Sequence, residues 1–85
     1  MMYELTPNGT QKSFYGKALV RVNDDLSRTL YSYGTMIITI ERNADYITKH
    51  WDGWTATTGK HIKAFCGLDK KAFSALPFNE TVYRG

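Results

Sequence analysis

At 85 residues, with a formal charge of +3, 42% apolar residues, 14% aromatics and 22% charged residues, the chain reads as one small globular domain. This composition excludes a disordered or fibrous chain, and no apolar run approaches the ~18 residues of a membrane-spanning helix. One cysteine excludes an intramolecular disulfide framework, and Met1 to Pro7 lacks the blocks of a signal peptide, so the expected setting is a reducing cytoplasm.

Residues 1–11 read as a polar lead-in with a turn signal at Pro7-Asn8-Gly9, which places the folded unit at 12–77 and a C-terminal tail at 78–85. Ala18, Val20 and Val22 alternate with Leu19, Arg21 and Asn23, and Asn23-Asp24-Asp25 ends that strand. Thr29 to Glu41 reads as one long strand. Leu30, Met36, Ile38 and Ile40 fall on one parity, and Tyr31, Tyr33, Thr35, Ile37 and Thr39 on the other. Gly34 in its middle suggests a bulge or bend. After a short connection at Arg42-Asn43-Ala44-Asp45, Tyr46 to Trp51 forms a third strand, closed by Asp52-Gly53.

The period then changes. Thr55-Ala56-Thr57-Thr58 offers several helix N-caps, with Thr58 the expected one, and Ile62, Phe65 and Cys66 follow at helical spacing. Gly67 is placed to end this helix, Asp69 to cap a shorter one carrying Phe73 and Leu76, and Pro77 to stop it. The expected architecture is α+β: a three-stranded antiparallel β-meander packed on one α-helix, with a short second C-terminal helix.

Charge is uneven. Through Asp45 the bases Lys12, Lys17, Arg21, Arg28 and Arg42 are balanced by Glu4, Asp24, Asp25, Glu41 and Asp45. Beyond it Lys49, Lys60, Lys63, Lys70, Lys71 and Arg84 face only Asp52, Asp69 and Glu80, so the whole excess lies in this half. Lys49, Lys60, Lys63, Lys70 and Lys71 are therefore the candidate contact surface for an anionic partner. Tyr15, Tyr31, Tyr33, Tyr46, Trp51 and Trp54 lie in or beside the sheet, and Tyr31, Tyr33 and Trp54 are the candidate aromatic contacts. Cross-strand pairing and cover for a small core are the structural alternative for these rings.

Other chemistry finds little support. Gly53 and Gly59-Lys60 miss the phosphate-loop spacing, and His61 stands where that motif has Ser or Thr. The start of the helix near Thr57 or Thr58 could hold an anion, although capping by the threonine hydroxyls accounts for it. His50, His61 and Cys66 match no zinc spacing. His61 is expected to meet solvent or hydrogen-bond to the sheet, and Cys66 to be buried and inert. The expectation is no enzyme, no metal and no cofactor.

Gln11-Lys12-Ser13-Phe14-Tyr15-Gly16-Lys17-Ala18, Leu30-Tyr31-Ser32-Tyr33-Gly34-Thr35, Trp51-Asp52-Gly53-Trp54 and the block from Thr55 to Phe65 together resemble an uncharacterised family of small domains from Gram-positive bacteria, their phages and plasmids. The resemblance spans roughly residues 11–66, and Thr-Thr-x-x-His-Ile-x-x-Phe is its most specific part. It implies no activity, cofactor or catalytic residue. It implies a setting, that of a small accessory product of mobile elements. The function expected is non-enzymatic binding to a host protein or protein–nucleic-acid complex, for example as a defence-system inhibitor such as an anti-CRISPR. The alternative is a small DNA-binding domain that lays its sheet in the major groove, which requires Arg21, Arg42 and Lys49 to share the face opposite the helix.

Overall fold

A computed structural model describes residues 1–5, 14 and 16–83. The chain runs β1 (Met2–Glu4), β2 (Ala18–Val22), β3 (Arg28–Ser32), β4 (Thr35–Ile40), β5 (Tyr46–Lys49), α1 (Ala56–Cys66), α2 (Lys70–Ala75) and β6 (Thr81–Tyr83). The class is α+β, as expected, but the sheet has six strands rather than three. Each strand pairs antiparallel with the next in sequence order. Pro7-Asn8-Gly9, Lys12, Tyr15 and Arg84 lie outside the described residues.

The additional strands have separate causes. The run from Thr29 to Glu41 is a hairpin rather than one strand. Tyr33 and Gly34 take φ of 52° and 80°, the paired positive values of a two-residue type I′ loop, whose twist suits antiparallel strands. The expected bulge exists but sits three residues later. Leu30 pairs with Ile38 and Tyr31 with Met36, which leaves Ile37 as the extra residue. Consecutive Ile37 and Ile38 are thereby both buried. The outermost strands, β1 and β6, come from the expected lead-in and tail. Each is three residues long, too short for alternation to reveal.

Register divides the sheet into two faces. Ala18, Val20, Leu30, Ser32, Ile38, Ile40, Ile47 and Lys49 share one face and are all buried. Phe14, Ile62, Leu68 and Phe73 close the core over it. On the opposite face, Thr29, Thr39, Thr48 and Thr81 form a cross-strand row through β3, β4, β5 and β6. There the Thr48 and Thr81 hydroxyls hydrogen-bond at 2.7 Å.

The helices are fixed at their ends. Thr55, not Thr58, caps α1, its side chain accepting the Thr58 backbone N–H at 3.1 Å. Gly67 ends α1 at φ 77°, and its N–H reaches the Lys63 carbonyl. Asp69 caps α2 by accepting the Ala72 N–H at 2.8 Å, and the helix stops before Leu76-Pro77.

Candidate interaction surface

The block from Trp51 to Phe65 folds as a corner built by close ring-to-backbone approach. An added Cβ on Gly53 would lie 2.8 Å from the Trp51 ring, and one on Gly59 would lie 2.5 Å from the Trp54 ring. Each glycine therefore lets an indole lie against the main chain. Trp54 also meets Phe73 of α2, with ring centroids 5.8 Å apart. The turn from β5 into α1 and the seating of α2 thus depend on the same indole.

Thr58 and His61 point into this corner. Ser32 on β3 hydrogen-bonds the Thr58 hydroxyl at 3.0 Å and His61 Nδ1 at 2.8 Å, and all three residues are buried. Phe14 packs against the His61 ring at 4.5 Å. Burial lowers the His61 pKa below the usual histidine range. The expected bond from His61 to the sheet is present, to Ser32. The Thr58 hydroxyl, expected to cap the helix, bonds Ser32 instead. A serine and a histidine at hydrogen-bond distance suggest a nucleophile, but this pair is sealed under α1, out of reach of a substrate.

The basic residues separate into two groups. Lys60 and Lys63 lie one turn apart on the outer side of α1, Lys70 and Lys71 open α2, and all four are exposed. Neither helix contains an acidic residue. Lys49 does not belong to this surface. It is only 2% exposed, and its ammonium donates to the Phe73 carbonyl at 3.1 Å and to Asp52 at 3.2 Å. It also sits 5.0 Å from the centre of the Phe73 ring. The lysine stem fills core space under α2, while its charge meets a carbonyl in the last turn, where the helix dipole is negative. The alternation of Tyr46, Ile47, Thr48 and Lys49 carried the signal, because Lys49 shares the parity of buried Ile47.

The aromatic candidates are likewise dispersed. Tyr31 is half-buried on the open face, paired with Met36. Tyr33 is 58% exposed at the β3–β4 loop, beside His61 and with the Lys17 ammonium 6.0 Å from its ring centre. Trp54 is half-buried in the corner. Nor do Arg21, Arg42 and Lys49 share a face. Arg21 pairs with Thr29 on the open side, Arg42 follows β4 and lines an open hollow with Glu41, Asn43, Tyr46 and Thr81, and Lys49 lies beneath α2. The arrangement required for laying the sheet in a DNA groove is not met.

Among the described residues, no group of three or more His, Cys, Asp or Glu side chains is placed to hold a metal ion. No helix there is long and apolar enough to cross a membrane. A family described as of unknown function, DUF8033, matches residues 3–76, and the chain belongs to it. This agrees with the resemblance to an uncharacterised small-domain family. No curated protein and no solved structure matches the chain.

Proposed function

We propose that this DUF8033 chain is a non-enzymatic binding module that docks on an anionic surface of a host protein or protein–nucleic-acid complex through the lysines of its helical layer. The observation that carries this reading is the exposure of Lys60, Lys63, Lys70 and Lys71 on two helices that contain no acid. Lysines present compact, hydrated point charges rather than the rigid forks of arginine. A set of them suits a broad negative surface better than one bidentate contact. In this reading the chain is a cytoplasmic accessory product of a phage or other mobile element, and occupying the partner blocks it, as a defence-system inhibitor such as an anti-CRISPR does. The Trp51 to Phe65 block serves as scaffold and holds α1 and its lysines at a fixed angle to the sheet.

The test is affinity capture from host lysate with the parent chain and with a Lys60→Glu, Lys63→Glu variant, each with and without nuclease. The parent should retain a defined partner that the variant loses, while the two melt within about 0.5 kcal/mol of each other. Identical sets captured by both chains would refute the reading. Nuclease treatment distinguishes a partner held through nucleic acid from one held directly.

A further inference from the structure

Six polar side chains on the open side of the sheet are joined by five hydrogen bonds. The Ser27 hydroxyl donates to Asp25 Oδ1 at 2.6 Å. Asn23 Nδ2 donates to Ser27 Oγ at 3.0 Å and to Thr29 Oγ1 at 3.1 Å. Thr29 Oγ1 lies 2.8 Å from Thr39 Oγ1, and Thr39 Oγ1 lies 2.7 Å from His50 Nε2.

Counting protons gives this chain a direction. Ser27 has one hydroxyl proton, committed to the Asp25 carboxylate, so Asn23 must meet Ser27 with its amide N–H. The second Asn23 N–H then goes to Thr29. Thr29 is only 4% exposed, and Thr39 is the one acceptor its hydroxyl reaches among the described residues. A buried hydroxyl proton left unused is costly, so Thr29 donates to Thr39. Thr39 is half-buried, and His50 Nε2 is the one remaining acceptor its own proton reaches among the described residues, so Thr39 donates to His50. His50 Nε2 is then an acceptor and carries no proton.

We infer that these side chains act as one directed relay, anchored at Asp25, that holds His50 as the neutral Nδ1–H tautomer and turns that N–H outward as a fixed donor on the sheet face opposite the helical lysines. Nδ1 has no partner among the described residues, and no buried polar side-chain atom there lacks one, so Nδ1 is open to solvent. The donor suits a carbonyl or carboxylate oxygen. Glu4, Arg21, Tyr31 and Tyr46 share this face, and none of them bonds the ring. Taking up a proton at Nε2 would reverse the last link: Thr39 would then accept from both Thr29 and His50, and its own hydroxyl proton would lose its partner. Burial of the ring opposes the charged form in the same sense.

Asn23→Asp tests the inference three bonds from the ring. The new carboxylate only accepts, so Thr29 must donate to it, Thr39 to Thr29, and His50 must become the Nε2–H tautomer. Long-range nitrogen–proton NMR of the imidazole reads this directly. The parent should give the Nδ1–H pattern and Asn23→Asp the Nε2–H pattern, with a raised His50 pKa. An added charge acting through space would raise the pKa without changing the tautomer, and that result overturns the relay. In a Thr39→Val background, Asn23→Asp should no longer alter the tautomer. Should Asn23→Asp fail to fold, Thr29→Val should give a measurable Nε2–H fraction. A parent ring in the Nε2–H form, or a ring unmoved by these variants, contradicts the inference.

Discussion

Gly59 lies in the interior of α1, where glycine ordinarily costs about 1 kcal/mol relative to alanine. Here the exchange has the opposite sign, because an alanine Cβ would meet the Trp54 ring at 2.5 Å. Gly59→Ala should destabilise the chain by about 1–3 kcal/mol in denaturant unfolding. In a Trp54→Leu background the same exchange should become neutral or stabilising, and a cost unchanged by that background would exclude ring contact as the cause. His61 supplies a second test at this scale. Its pKa is lowered by burial, so the unfolded chain binds more protons than the folded one once pH drops below about 6.5. Its contribution is complete above that value and is lost as pH falls through the folded pKa. His50 is shifted the same way, so a His50→Gln, His61→Gln variant should lose much of the fall in melting temperature between about pH 7 and 5. A parent chain that melts at one temperature across that range would contradict the assignment.

The ends of elements were legible in the sequence where the residue type itself fixes the end. Asp69 and Gly67 are of this kind, one accepting an N–H and the other taking a left-handed φ. Thr55 and Thr58 were not separable, since both are threonines near the same helix start, and only the fold directs Thr58 toward Ser32. Thr55→Ala should cost about 1 kcal/mol through loss of the cap. Thr58→Val should leave helix content at the N-terminus intact while exposing Ser32 to a lost bond, so the two variants should differ in amide exchange at the first turn of α1. Equal fraying in both would restore Thr58 as the cap. The β3–β4 hairpin was missed because its loop is Tyr33-Gly34 rather than the Asn-Gly pair that announces such a turn. The flanking alternation continued through it and mimicked one strand.

At the scale of the molecule, alternation grouped the buried residues Ala18 and Val20 of β2 and Ile38 and Ile40 of β4, because one side of the sheet is dry and the other is not, but it set exposed Met36 with them since the bulge at Ile37 shifts the parity. It could not locate β1 and β6, whose pairing depends on neighbours distant in sequence. Of the candidate contacts, the four helical lysines are exposed as their place on the polar sides of the helices requires, whereas Lys49 was misplaced because charge was weighed before parity. The two faces differ in charge: two helices with four exposed lysines and no acid within them, Asp69 standing at the cap of α2, and a sheet face dressed in threonines and tyrosines. The central claim is that the helical charge does the binding. It is tested most directly by the salt dependence of affinity for the captured partner, measured with the parent chain and the Lys60→Glu, Lys63→Glu variant. Parent affinity should fall steeply as salt rises, because each neutralised anionic group releases counterions. The variant should bind more weakly at low salt with a flatter slope. If the variant binds as tightly as the parent at low salt and with the same slope, the lysines are only a solvated surface, and the account is wrong.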